Sequence, residues 1–176
     1  MGKSAYAVID RLVLDLLGHE AEEATLSTPK SCAWGNDNEP LARMIYAERT
    51  FRDVRITEFS VSDTHPYVGG TMDGLVGKVG GIEIKCPYNP SEHLANIIDR
   101  KQIKQYTPQM QGYMWIFGLE WIDFISFDPR MPEPYDLVIE RVERDEPYIG
   151  QLIERCELAF EIALQKADEA KARCTQ

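Results

Sequence analysis

Three charged residues on two neighbouring predicted strands form the pattern with the most chemical meaning in this chain. Asp73 is followed, across a glycine-rich hairpin, by Glu83 and Lys85. Residues at positions i and i+2 of a strand point to the same face, so Glu83 and Lys85 project together. Ile82 and Ile84 then point into the protein. Carboxylates are ligands that Mg²⁺ prefers, and a nearby lysine can orient water or stabilise charge on a phosphate. The pattern predicts a metal-assisted site for phosphodiester chemistry.

Each part of this pattern also has an ordinary structural explanation. Asp73-Gly74 is a common turn signal, in which the aspartate caps the backbone. Glu83-x-Lys85 alone is compatible with an ion pair on an exposed strand. The combination favours the catalytic interpretation, because the Glu-x-Lys lies between isoleucines, ends in Cys86-Pro87 and follows an upstream aspartate.

Glu39 is a further acidic candidate. It precedes Pro40 near the expected start of a helix, where a carboxylate is stabilised by the helix dipole. The alternative is a third acid that reaches the metal site. From the residues alone, the structural interpretation is preferred.

A predicted helix carries the remaining polar candidates. Tyr106, Gln109 and Tyr113 fall at positions i, i+3 and i+7 and share one helical face. They are either half-buried residues of an amphipathic face or a set in which Gln109 points to a scissile phosphate or its attacking water. A short basic cluster precedes them and is a candidate for DNA phosphates: Arg100, Lys101 and Lys104.

The elements that must position these residues follow from periodicity and turn signals. Gly35–Asn38 is expected to cap the second helix, with Pro40 in its first turn. The predicted elements are a helix at Ser4–Leu17, a loop at His19–Ala33, a helix ending near Thr50, strands at Val54–Val61 and Tyr67–Val76, a hairpin at Gly77–Gly81, a strand at Ile82–Cys86, a linker with an optional short helix to Asp99, a helix at Ile103–Phe117 with Pro108 in its first turn or at a kink, strands at Trp121–Phe127 and Leu137–Val142, and a helix from Glu146 to the end. This order predicts an α/β (α+β) fold with a central mixed sheet flanked by helices.

Composition sets limits on the function. The 176 residues, with 44% hydrophobic and 27% charged residues, predict a single domain over 1–176. No apolar run approaches the ~20 residues of a membrane span, and we expect a cytoplasmic protein. Four scattered cysteines make an iron–sulfur cluster improbable. The net charge of −10 requires local positive charge wherever nucleic acid binds.

The motifs, in this order, resemble the PD-(D/E)xK nuclease superfamily, and more closely its lambda exonuclease branch with the YqaJ-type viral recombinases. The resemblance rests on Gly35 with Glu39, Ala42-Arg43, Met72-Asp73-Gly74-Leu75, Glu83-Ile84-Lys85-Cys86-Pro87, Tyr106-x-x-Gln109-x-Gln111, Met114-Trp115, Asp128-Pro129-Arg130-Met131 and Val138-Ile139-Glu140-Arg141. It implies a restriction-endonuclease-like core.

The resemblance also implies roles for individual residues. It assigns metal binding to Asp73, Glu83, the Ile84 carbonyl and Glu39, water activation to Lys85, support to Gln109 and Tyr106, and a place near a 5′ phosphate to Thr71. It further implies a Mg²⁺ cofactor, replaceable by Mn²⁺, and digestion of one strand of linear duplex DNA from the 5′ end. A phage or prophage origin, a ring-shaped trimer and a single-strand annealing partner belong to the same expectation.

Two departures keep other functions open. Met72 stands where the family has a proline, and the chain is expected to lack a family segment ahead of the first helix. The alternatives are a structure-specific or weakly end-dependent endonuclease of the same fold and a non-catalytic nucleic-acid-binding protein.

Overall fold

A computed structural model describes residues 3–19 and 29–174. In chain order the elements are α1 Lys3–Leu16, α2 Lys30–Thr50, β1 Val54–Arg55, β2 Ser60–Val61, β3 Gly69–Gly70, β4 Gly74–Val76, β5 Gly80–Lys85, α3 Pro90–Asp99, α4 Lys101–Phe117, β6 Trp121–Phe127, β7 Leu137–Glu143 and α5 Glu146–Cys174.

The main sheet has five strands in the order β1-β4-β5-β6-β7. Strands β5 and β6 are parallel, and the other neighbours pair antiparallel. A second, two-stranded sheet pairs β2 with β3. The predicted mixed sheet flanked by helices is therefore confirmed.

The parallel pair determines where the helices lie. Parallel neighbours need a long crossover connection, which here consists of α3 and α4. Side chains of β5 and β6 alternate between two covered faces. Ile82 and Ile84 share a buried cluster with Ala42 and Tyr46 of α2. On the opposite face, Phe124 stacks on a tyrosine of α4.

Helix α2 is fastened to the sheet by buried polar contacts. The Tyr46 hydroxyl donates to Asp123 Oδ2 at 2.7 Å, and Arg141 donates to both oxygens of the same carboxylate. Burial and the bond to Asp123 raise the pKa of Tyr46, so the hydroxyl stays protonated. One turn further on, Arg49 makes a two-bond contact with Asp136. These bonds determine the position of α2 along the sheet.

The predicted start of α2 is wrong. Gly35–Asn38 and Pro40 lie inside the helix, which begins at Lys30. The Pro29 carbonyl accepts the first helical bonds, from the amides of Cys32 and Ala33. Pro29, which lies within the predicted loop, therefore immediately precedes the helix. Of the predicted loop His19–Ala33, residues 20–28 lie outside the described residues.

The two long strands predicted before the hairpin are each divided into two short ones. The Thr57 hydroxyl donates to the Met72 carbonyl and accepts from the Met72 amide. The Thr57 side chain thus replaces the backbone hydrogen bonds that would pair the two strands at this point. On either side of it, β1 pairs with β4 in the main sheet and β2 pairs with β3 in the second sheet.

The hairpin is shorter than predicted, because Gly80 and Gly81 belong to β5. A Cβ at Gly80 would lie 2.1 Å from the Trp121 ring, so glycine lets that ring cover the strand. The optional short helix is α3, capped by Asn89, and Pro108 lies inside α4 rather than in its first turn. Strand β6 has the predicted bounds.

The chain divides into two compact units. Residues 27–149 form one unit, which contains β1–β7. Residues 1–26 and 150–176 form the other, in which Lys166 and Asp10 make an ion pair of 2.9 Å. The single domain over 1–176 stays a prediction. No helix in the described ranges has the length and apolarity required to span a membrane.

We expect Tyr46→Phe to destabilise the protein by about 1–2 kcal/mol, because it leaves a buried carboxylate oxygen without one of its donors. The free energy of unfolding, measured by urea denaturation, tests this. The matched control is Tyr135→Phe, at a tyrosine that is 56% exposed. Equal effects of the two substitutions would contradict the role given to the Asp123 contact.

Candidate active site

The two carboxylates on adjacent chain segments are brought together by the β4–β5 pairing. Asp73 immediately precedes β4, and its Oδ2 accepts a hydrogen bond of 2.6 Å from the Ile84 amide. Glu83 lies in the middle of β5 and is only 1% exposed. The backbone bond fixes the Asp73 side chain against the strand that carries Glu83 and Lys85.

Glu83 is buried without adequate hydrogen bonds. Its Oε1 forms an ion pair with Lys85 Nζ. Within the described part of the chain, neither carboxylate oxygen has a partner with hydrogen-bond geometry. An unsatisfied buried carboxylate is costly, and a bound cation is one of the few ways to compensate for it.

The electrostatics of the site follow from this burial. Burial, together with the charge of Asp73, raises the pKa of Glu83 to about 7, although Lys85 acts in the opposite direction. Burial also raises the pKa of Asp73. Burial alone would lower the pKa of Lys85, but the Glu83 carboxylate raises it above its ordinary value. The lysine is therefore charged, beside two carboxylates that repel each other.

These properties fit a divalent cation between Asp73 and Glu83. The donors are hard oxygens, and the ion pair with Lys85 is the one contact that the two Glu83 oxygens make among the described residues. Among the described residues, no three His, Cys, Asp or Glu side chains are arranged to hold a metal. Protein side chains thus offer a pair of ligands, and the Ile84 carbonyl as a further ligand stays a prediction.

Glu39 lies at the edge of the site but contacts a different partner. It lines a cavity of about 360 Å³ together with Ile84, Lys85 and Tyr106. Its charge contributes to the raised pKa values of Asp73 and Glu83. The Glu39 carboxylate itself pairs with Arg43. Its predicted role as a metal ligand is therefore untested.

Arg43 is the residue of the site to which the sequence motifs assigned no role. Its Nε donates to the Asp73 carbonyl at 2.9 Å, and its NH2 group pairs with Glu39. One guanidinium thus joins α2 to the segment that carries Asp73. The spacing of Glu39 and Arg43, four residues on one helix, was the available signal.

The predicted face of α4 does cover the site. Lys85 Nζ lies 4.5 Å from the centre of the Tyr106 ring, and that ring stacks on Phe124. The Gln109 amide donates to the Tyr113 hydroxyl at 3.1 Å. Tyr106 is therefore in the site, while the role of Gln109 at a phosphate stays a prediction.

The candidate DNA-binding residues have varied surroundings. Arg100 forms an ion pair of 2.8 Å with Glu140, and Lys104 is exposed. Thr71 is exposed between β3 and β4. The side chain of Lys101 lies outside the described part. Contact of these residues with DNA remains a prediction.

Comparison with solved structures defines the class of the fold. An alkaline exonuclease from Laribacter hongkongensis, LHK-Exo, superposes with a TM-score of 0.89 at 28% identity, over 99% of this chain and 87% of that one. Its complex with dAMP gives the same values. A phage related exonuclease from Haemophilus somnus 129PT gives a TM-score of 0.74 at 21% identity, over 97% and 85% of the two chains.

The sequence profile of the YqaJ-like viral recombinase domain matches residues 3–120. The chain therefore belongs to the YqaJ-like viral recombinase domain family, and the resemblance seen in the motifs is confirmed. No curated protein matches the chain significantly.

We expect Arg43→Gln to destabilise the protein by about 1–3 kcal/mol, because a partly buried, charge-assisted contact to Asp73 and Glu39 is lost. Urea denaturation measures the change. The control is Arg11→Gln, whose i,i+4 pair with Asp15 is more than half exposed and should contribute less than ~0.5 kcal/mol. A loss no larger than that of the control would show that Arg43 does not join α2 to Asp73.

Proposed function

We propose that this chain is a phage-type exonuclease that hydrolyses phosphodiester bonds of DNA, with Mg²⁺ as its cofactor. One observation carries the proposal: buried Glu83 lies beside half-buried Asp73 and pairs with Lys85, in a chain that belongs to a viral recombinase family. The likeness to LHK-Exo supports it further, since that protein is an exonuclease with which the whole described fold aligns.

The residues of the chain have distinct roles in this proposal. Asp73 and Glu83 hold Mg²⁺, or Mn²⁺ in its place, with the Ile84 carbonyl and Glu39 as further oxygen donors. The bound metal supplies Lewis acidity and lowers the pKa of its water. Lys85, held between Glu83 and the Tyr106 ring, orients the attacking water or stabilises charge on the phosphate. Gln109 assists from α4.

The resemblance to the lambda exonuclease branch supports four more specific parts of the proposal. They are digestion of one strand from a 5′ end, a trimeric ring around duplex DNA, transfer of the product strand to an annealing protein, and action in a phage-infected bacterial cytoplasm. A ring also suits the net charge of −10, because only its inner wall must attract DNA.

We expect the wild-type protein to digest linear duplex DNA only with Mg²⁺ or Mn²⁺ and to leave closed circles intact. Lys85→Met should lower the rate by about 10²–10³-fold, as expected for loss of one electrostatic stabiliser. Gel analysis of 5′- and 3′-labelled duplexes, with a 5′ phosphate or a 5′ hydroxyl, reports rate and direction together.

The control for this assay is Lys78→Met, at an exposed lysine of the β4–β5 turn. Its rate should equal that of the wild type. Intact linear DNA at every enzyme and metal concentration would refute the nuclease. Prompt cutting of closed circles would instead establish the endonuclease alternative.

We expect Mn²⁺ to raise the melting temperature of the wild-type protein, since a ligand of the folded state stabilises it by mass action. Glu83→Gln should abolish this rise, because it removes one of the two charged ligands. Differential scanning fluorimetry over a Mn²⁺ titration tests this without DNA. Glu120→Gln, at an exposed carboxylate, should retain the rise. A rise that persists in Glu83→Gln would exclude Glu83 as a ligand.

A further inference from the structure

A polar cavity adjoins the candidate active site, between α3 and α4. Its volume is about 440 Å³. The residues that line it are Asn89, Ser91, Glu92, Ala95, Gln102, Gln105 and Tyr106. Except for Tyr106, none of them belongs to the predicted site. We refer to it as the amide cavity.

The amide cavity is continuous with the active site. A smaller cavity of about 150 Å³ shares Glu92, Gln102 and Tyr106 with it. The smaller cavity also shares Lys85 and Tyr106 with the cavity that contains Glu39. A groove therefore leads from the lysine beside the carboxylates, past the Tyr106 ring, to the amides.

The lining chemistry disfavours a phosphate and favours a flat neutral group. Glu92 is the charged side chain among the described residues that line the amide cavity, and it would repel a phosphate. The Tyr106 ring, which stacks on Phe124 and has Lys85 Nζ 4.5 Å from its centre, forms one wall of the cavity. Aromatic side chains beside an extended nucleic-acid strand commonly take a base by stacking.

One amide supplies a hydrogen-bond donor and an acceptor for such a group. Gln102 is already engaged at both ends, since its Oε1 accepts from Asn96 at 2.6 Å and its Nε2 donates to Glu92 at 3.3 Å. Gln105 has no such bond to another described residue, so its amide is available to a ligand. Glutamine and asparagine amides pair with base edges through a donor and an acceptor.

We propose that the amide cavity binds a nucleobase of the strand whose phosphate occupies the Asp73–Glu83–Lys85 site, with Gln105 as a hydrogen-bonding contact. This inference rests on the proposed function for the identity of the strand. The base enters the cavity while its backbone follows the groove past Lys85. The cavity thus contributes to DNA affinity without adding positive charge to an acidic chain.

The test uses a set of labelled oligonucleotide duplexes, each with one abasic residue at a successive position from the end. Fluorescence anisotropy without divalent metal measures binding, and digestion with Mg²⁺ measures turnover. We expect Gln105→Ala to weaken binding of intact DNA about fivefold, the size of one net hydrogen bond. An abasic residue at one position should weaken binding by wild-type protein by at least that factor, because it removes the base's stacking as well as its hydrogen bond.

At that position Gln105→Ala should cause no further loss, because the abasic duplex already lacks the Gln105 contact. The control is Gln151→Ala, at an exposed glutamine of α5 that does not line the cavity, and it should behave as wild type. Equal binding of all abasic duplexes by wild type, or additive effects at every position, would refute the base-binding cavity. Normal digestion in that case would leave the proposed function intact. Position-dependent binding without digestion would refute the nuclease but retain the cavity.

Discussion

A carboxylate buried in the centre of a sheet, with one lysine as its partner, is the constraint on which this structure depends. Desolvation of such a group costs several kcal/mol, and a second carboxylate nearby increases the cost. Glu83 is in this situation, and Asp73 is held close to it by a backbone amide. Lys85 offsets part of the cost, which raises its own pKa. A divalent cation would offset the rest of this cost, because it would neutralise the charge of the two carboxylates.

The fold maintains this unfavourable pair by covering both faces of one strand. Because β5 and β6 are parallel, they need a crossover connection, and its helices α3 and α4 lie on the face that carries Glu83 and Lys85. The opposite face is covered by α2, which the Tyr46–Asp123 bond holds against β6. Helix α4 thereby places Tyr106, and helix α2 places Glu39, near Lys85 at the end of β5.

Local patterns predicted the elements in which one periodicity dominates. Strand β6 is rich in aromatic and isoleucine residues, with Asp123 and Ser126 among them, and its bounds were predicted without error. The start of α2 was predicted wrongly. Pro40 was expected in the first turn, whereas the helix begins at Lys30 and contains Pro40 in its interior. The division of the strands before the hairpin depends on Thr57, whose hydroxyl replaces ladder bonds to a residue that is distant in sequence. A side-chain contact of this kind leaves no periodic signal.

The sequence by itself determined that Glu83 and Lys85 share a face and that a carboxylate precedes them across a hairpin, because strand alternation and hairpin pairing are local geometry. Only the tertiary structure decided that Arg43 of α2 holds the Asp73 carbonyl, that Tyr46 donates to Asp123, and that α3 and α4 enclose an amide cavity beside the site. These contacts join segments that are far apart in the chain. They depend on how helices pack on a covered sheet, which the spacing of residues within any one element does not specify.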